Sequence, residues 1–343
     1  MSLEIVKSGP LTTIQDGGRT GYGRMGYRRC GACDRYAMEL ANILVGNWEN
    51  RRQAVMEFTM RGGTLRFGRE AVIALTGADM EPKLDGVAIA MYQPVCVYPG
   101  QVLELGFAKT GLRTYLAVGG GLLLSEVMGS SSTDSTCGIG GVEGRPLKDG
   151  NLLQLRSSME ADLYRKDISG REKEFGIPDD WFWLRNPAYP YRSVGRELVP
   201  VMRVVPGPQE EAFTEKGRET LWRSVYRVAA DSNRMACRLE GAELERVNGS
   251  DIISDGIVEG SIQVAANGLP MVMLSDHQTT GGYAKIGTVI HLDLAAIAQR
   301  KPGESIGFTY ITPEQANEAY RKEVKKLEWL KRELVTKRKA RQR

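Results

Sequence analysis

Apolar and polar positions change register along this chain, and each change predicts a different element. Leu3-Glu4-Ile5-Val6-Lys7 alternates in part, as a half-buried strand does, and Gly9-Pro10 ends it. Asp34 then reads as the N-cap of a helix in which Ala37, Leu40, Ala41 and Leu44 share one apolar face, with Gly46 placed to stop it. Over residues 55–155 the pattern becomes that of short strands separated by turns, at 64–67, 71–75, 87–91 and 114–118. Residues 156–195 are mixed and polar, carry Pro178, Pro187 and Pro190, and read as a connector with a short helix. A second β-rich block runs through 201–205, a helix near 210–220, and strands at 224–229, 261–264, 271–274 and 288–292. The spacing suggests barrels or sandwiches and not alternating βα units, so the fold class is mainly β with some α.

The last segment is a helix by every local signal. Thr312 can cap, Pro313 suits the first helical position, and Gln315 can close a capping box. Tyr320, Val324, Leu327, Leu330 and Leu334 follow at steps of three or four, an apolar stripe opposite a basic face. The domain reading is therefore 1–195, 196–312 and a basic amphipathic tail over 313–343. The stripe fits docking on the chain's own body, or a partner-binding or self-pairing helix.

Charge sharpens this picture. The formal net charge of +4 comes from the tail: 321–343 holds 11 basic and 3 acidic residues, leaving 35 of the 46 basic and 39 of the 42 acidic residues elsewhere. A mildly acidic body does not read as a nucleic-acid binder. No uncharged apolar run approaches the roughly 20 residues that span a bilayer, and the N-terminus lacks a secretory pattern, so a soluble cytoplasmic protein is expected. The five cysteines are irregularly spaced; Cys30 and Cys33 fit C-x-x-C but lack the second pair a zinc site needs, and read as two small residues at a turn.

Familiar catalytic signatures are missing: there is no Walker-type phosphate loop, no G-x-S-x-G elbow, and only His277 and His291 as histidines. No metal site is expected. Chemistry must rest on carboxylates, Arg, Lys, hydroxyls and backbone amides. The densest polar run, residues 275–285, follows an apolar strand. In it Asp276 could serve as a general base and Lys285 could neutralise developing negative charge. Thr279, Thr280 and neighbouring N–H groups could form an anion nest, with Gln278 and Tyr283 as further substrate contacts. The same run would also serve as a hydrogen-bonded turn between strands. In Ser232-Asn233-Arg234-Met235, Arg234 could grip a carboxylate or phosphate, with Asn233 beside it, or simply form a salt bridge. Asp16 and Arg19, in an N-terminal glycine loop, are supporting candidates that could equally pair with each other.

These clusters resemble a known family. The matching stretches are Gly9-Pro10-Leu11-Thr12-Thr13-Ile14-Gln15-Asp16, Gly31-Ala32 with Asp34, and Ala41-Asn42-Ile43-Leu44-Val45-Gly46-Asn47. Ser232-Asn233-Arg234-Met235, Gly260-Ser261-Ile262-Gln263-Val264 and Asp276-His277-Gln278-Thr279-Thr280-Gly281-Gly282-Tyr283 follow in order, so the likeness spans about residues 3–312. The family contains the C subunit of 5-oxoprolinase, the antagonist of the Kip sporulation-kinase inhibitor, and part of the carboxyltransferase region of urea carboxylase (the allophanate hydrolase subunit 2 type). The resemblance implies two cyclophilin-like β-barrel domains and partnership with the B and A subunits of a cytoplasmic complex. That complex uses ATP, with Mg, to hydrolyse 5-oxoproline to glutamate. A lactam is a stabilised amide, and phosphorylating its oxygen makes the carbon electrophilic, while cationic and N–H donors lower the barrier. Two other roles follow from the same family: carboxyl transfer from carboxybiotin to urea or a related amide, for which this chain has no biotin-carrier domain, and non-catalytic binding of a kinase-inhibitor partner. Two positions depart from the family pattern, Ser131 standing for an Arg and Cys30 for a Ser. The first should weaken anion binding at the serine loop.

Overall fold

A computed structural model describes residues 2–247 and 251–341, and it divides the chain into two compact units. The first comprises residues 1–19, 30–186 and 324 onward; the second comprises 20–29 and 187–323. Residues 342 and 343, at the end of the expected tail, lie outside the described residues.

In the first unit, alternating strands build two sheets. One has six strands, in the order Leu152–Gln154, Ser2–Lys7, Thr64–Phe67, Val102–Glu104, Lys83–Leu84, Val87–Ala88. The other has five, in the order Thr12–Gln15, Val55–Thr59, Thr110–Val118, Ala71–Asp79, Pro94–Val97. Leu3, Ile5, Leu65 and Phe67 of the first sheet and Ile14, Phe58, Ile73 and Leu116 of the second meet in one core. The strand expected over 87–91 is only Val87–Ala88, a short exposed edge pair with nothing to bury.

Helix α1, Arg35–Leu44, starts where Asp34 accepts a hydrogen bond from Ala37 N at 2.9 Å. It is followed by Gly46 at φ +83, where a Cβ would lie 2.9 Å from the Tyr164 ring. The apolar face of Ala37, Leu40, Ala41 and Leu44 is buried as expected, and the other six residues of the helix are buried as well. Its polar positions are satisfied instead of solvated: Glu39 meets Arg51 and Arg52, and Asn42 donates to the carbonyls of Met38 and Gln53. Helix α2, Met159–Ile168, supplies the connector's short helix.

The second unit holds a closed barrel of seven strands. The ladder runs Glu197–Pro206, Lys285–Val289, Ser261–Val264, Pro270–Met273, Ala236–Glu240, Val225–Val228, Ser305–Tyr310 and back to Glu197–Pro206. The closing pair is parallel, Val201 opposite Gly307 and Val204 opposite Tyr310, while the other pairs are antiparallel. Closure removes free sheet edges. Its core includes Val204, Tyr226, Ile262, Val272, Ile286 and Phe308. Helix α3, Glu215–Arg223, and the short α4, Leu294–Ala298, belong to this unit. A separate two-stranded ribbon pairs Asp251–Gly256 with Thr280–Tyr283. The mainly-β expectation therefore holds.

The tail is helix α5, Pro313–Arg341. Its capping box is present: Thr312 N donates to Gln315 Oε1 and Gln315 N to Thr312 Oγ1. From Val324 onward it packs within the first unit, with Leu327, Leu330 and Leu334 buried. Trp329 lies 4.9 Å from Trp181, and Arg338 binds Asp167 at 2.7 Å while covering the Trp48 and Tyr164 rings. The apolar stripe is thus occupied by the chain's own body. Among the described residues no helix is long and apolar enough to cross a membrane.

Candidate functional site

The polar run of the second unit grows out of barrel strands. Residues 275–279 form the turn after Pro270–Met273, and the chain then enters the ribbon strand Thr280–Tyr283 and the barrel strand Lys285–Val289. Backbone bonds hold this turn firmly: Asp276 N donates to Arg234 O, His277 N to Leu274 O, and Ile257 N to Thr279 O, each at 2.9–3.0 Å. The His277 ring is buried with Nδ1 at 2.7 Å from Gln278 O.

Arg234 and Asp276, separated by 42 residues in sequence, meet as a bidentate pair, Nε to Oδ2 at 2.8 Å and Nη2 to Oδ1 at 2.9 Å. The fork expected to take a ligand anion is therefore closed on a carboxylate of the chain. The arginine side chain is nearly buried and the Asp276 carboxylate about one-fifth exposed, which leaves the acid the accessible member of the pair.

Lys285 is 3% exposed, and its ammonium binds Asp255 Oδ2 at 2.7 Å and the Gly256 carbonyl at 3.0 Å. Gln209 links the two, accepting from Lys285 N and donating to Asp255 Oδ2. The Lys285 ammonium first, then the Gly256 N–H and Gln209, hold the Asp255 carboxyl below its ordinary range. A depressed acid stabilises the folded state above its unfolded pKa, and that contribution is lost as pH falls through the folded value. The stability deficit of an Asp255→Asn variant should accordingly be present at neutral pH and shrink as pH is lowered below about 4. Melting curves across that range check it, and a deficit independent of pH would refute it.

A third group surrounds Gly281. A Cβ there would lie 2.7 Å from Ile257 Cδ1, 2.9 Å from Gln263 Nε2 and 3.4 Å from Gln278 Nε2, so the position has no room for a side chain and two carboxamide nitrogens pack close to the glycine. Gln263 is fully buried, and its Oε1 has no hydrogen-bond partner among the described residues.

The remaining candidates are placed differently. Asn233 Oδ1 accepts from Met235 N at 2.7 Å and from Ala236 N, which closes a turn. Thr280 and Tyr283 are exposed on the ribbon. Asp16 and Arg19 lie in the first unit and do not pair. Asp16 instead gathers donors, with Oδ1 accepting from Gly18 N, Ser130 Oγ and Ser132 Oγ and Oδ2 from Ser131 N. Arg19 donates from Nη2 to Ser132 O at 2.5 Å, while its buried Nε and Nη1 have no hydrogen-bond partner among the described residues. Cys30 and Cys33 are both buried, Cys30 at φ +54, in a turn whose Ala32 N donates to Asp16 O. Among the described residues no three His, Cys, Asp or Glu side chains gather as a metal-binding group.

Sequence reasoning did not single out Asp255, Gln209 or Gln263 as site residues. The first two carried no motif. Gln263 did carry a signal, a polar residue inside the short apolar strand Ser261–Val264.

Comparison with known proteins places these groups in context. The carboxyltransferase domain model, subdomains A and B, matches residues 25–310. The chain is 37% identical to the C subunit of 5-oxoprolinase from Escherichia coli (strain K12), over 92% of this chain and 94% of that one. It is 35% identical to the corresponding C subunit of 5-oxoprolinase from Haemophilus influenzae, over 93% and 94%. The Saccharomyces cerevisiae urea amidolyase is 30% identical over 92% of this chain but only 17% of its own length. Among solved structures, the Kluyveromyces lactis urea carboxylase superposes with a TM-score of 0.83 at 26% identity, covering 96% of this chain and 29% of that one. The K. lactis urea amidolyase gives 0.81 at 27% identity, and this chain spans about a fifth of it.

Proposed function

The chain belongs to the carboxyltransferase-domain family of subdomains A and B, and from that premise we propose that it is one component of a cytoplasmic, ATP-dependent 5-oxoprolinase complex that hydrolyses 5-oxoproline to glutamate. The observation that carries this reading is the match along nearly the whole length of two proteins named as the C subunit of 5-oxoprolinase, against about a sixth of the urea amidolyase. The B and A subunits are its partners in this reading.

The side chains fit a neutral amide better than a triphosphate. Arg234 is engaged by Asp276 and Lys285 by Asp255, so neither of these cations offers an uncompensated charge. ATP and its Mg are therefore assigned chiefly to the partners, where they supply the phosphoryl group. In this chain, Asp276 keeps lone pairs for a proton, Arg234 orients it, and Lys285 fixes the ribbon beside Gly281 through Gly256. Arg19 in the first unit, with two unsatisfied N–H-bearing nitrogens, suits a single anionic group.

A second reading is favoured by the structural likeness to urea carboxylase: carboxyl transfer from carboxybiotin to urea or another amide. The first test is ATP hydrolysis dependent on 5-oxoproline, with the chain mixed with its A and B partners and a control lacking this chain. Activity only in the full mixture is expected. A stable complex without turnover would overturn the reading and leave carboxyl transfer to urea, or a purely regulatory binder of a kinase inhibitor, to be assayed next.

A further inference from the structure

Folding uses only one face of helix α5. From Val324 onward Leu327, Leu330, Leu334 and Arg338 are buried in the first unit. The opposite face carries Lys325, Arg332 and Lys339, all exposed and spaced one heptad apart, so they form a straight row with about 10 Å between neighbours. Among the described residues no hydrogen bond or ion pair engages any of the three. Other cations of the helix are committed: Lys322 to Glu318, Lys326 to the Trp183 ring, Lys337 to the Trp181 ring and Arg338 to Asp167. An apolar patch adjoins the row. Trp329 lies 4.9 Å from Trp181 and 6.0 Å from Trp183, which sets the segment Asp179–Leu184 against the helix. Within that segment Phe182 is 68% exposed. The match to the carboxyltransferase domain model ends at residue 310, so α5 and the face it presents lie beyond the matched domain.

We infer that the Lys325–Arg332–Lys339 row and Phe182 form a docking strip for an acidic protein surface carried by another subunit of the same complex. Carboxylates one heptad apart on a helix lying alongside would match the row, and an apolar recess would take Phe182. A nucleic acid fits less well, because the Trp181 and Trp183 rings already meet a lysine and Trp329 and are not free platforms for bases. A lipid surface fits less well too: the apolar stripe of the helix is buried in its own body and cannot enter a bilayer, and exposed Asp179 and Asp180 stand next to the aromatic segment. A second copy meeting through the same face would set like charge against like. The inference rests on the reading that this chain works within a multi-subunit complex; it adds where a partner is held and what that partner presents.

Calorimetric titration of the full chain with the B subunit, and separately with the A subunit, at low and at physiological salt measures this. The triple variant Lys325→Gln, Arg332→Gln, Lys339→Gln keeps good helix formers at exposed positions, so it should melt with the parent. Its affinity for one of the two subunits should fall by about 10-fold or more, and most of the salt dependence should go with it. Phe182→Ala should weaken the same contact by about 10-fold while leaving its salt dependence in place. A control with Lys7, Lys83 and Lys148, three exposed lysines elsewhere, changed to Gln should bind as the parent does. Unchanged affinity in the folded triple variant, an equal loss in the control, or no binding of the parent to either subunit would overturn the inference. So would row-dependent binding of a single-stranded oligonucleotide or of anionic vesicles that is tighter than binding of either subunit. Row-dependent binding of a subunit in a mixture that does not hydrolyse 5-oxoproline would keep the strip and remove the 5-oxoprolinase reading. Hydrolysis and subunit binding both undiminished in the triple variant would do the reverse.

Discussion

Replacing Asp276 by Asn should lower turnover of the assembled enzyme by about 10²-fold or more, the usual cost of losing a positioned proton acceptor. The geometry gives Asp276 two possible duties. Both of its oxygens accept from Arg234, so it holds a nearly buried guanidinium in place, and it is also the more exposed member of the pair. Asn preserves the shape and one acceptor oxygen but cannot take a proton. A purely structural role predicts a different signature: breaking a well-buried pair costs about 3–5 kcal/mol of stability, less where one member is partly solvated, and leaves kcat of the folded fraction unchanged. Thermal melts beside steady-state kinetics separate the two. A large fall in kcat with a small change in Tm supports the proton-acceptor role, and unchanged turnover in folded Asp276→Asn removes this residue from the chemistry. Arg234→Lys, which keeps the charge but loses the fork, should shift the pH profile of kcat if Arg234 orients the acid.

Asp16→Ala should destabilise the chain by about 3 kcal/mol or more, which is a structural effect at a position first considered for substrate contact. Four donors converge on this carboxylate: Ser130 Oγ, Ser132 Oγ and the N–H groups of Ser131 and Gly18. Ser130, Ser131 and Ser132 are buried, so water cannot readily replace the lost acceptor. Each buried donor left unsatisfied costs about 1–3 kcal/mol, reduced by local relaxation. Chemical denaturation of the purified variant measures the loss. Stability within about 1 kcal/mol of the parent would show that the serine loop finds other acceptors and that Asp16 is not its anchor.

Much of the scaffold was legible because it follows local rules. The Asp34 cap, the Gly46 stop and the Thr312–Gln315 capping box each depend on residues within a few positions of one another. Strands at 64–67, 261–264 and within 197–206 showed in their composition. Burial of α1 on every side was not legible, since Glu39 and Asn42 look solvated until their partners at 51–53 are known. The site behaved alike. Its residue types stood out in the run 275–285, but whether Arg234 faced a ligand or Asp276 depended on a contact 42 residues away.

The sequence by itself determined the β-rich class, the terminal helix, the family and the polar segments able to carry chemistry, because periodicity, caps and motif order are one-dimensional properties. Only the tertiary structure decided the pairing of charges: Arg234 with Asp276, Lys285 with Asp255, and Asp16 with the donors of the serine loop while Arg19 binds the Ser132 carbonyl of that loop and not Asp16. It alone also packed Gln263 and Gln278 beside Gly281. Barrel closure and register set those distances. An ion pair or an unsatisfied oxygen is a relation between atoms brought together by folding, which no single residue's identity encodes.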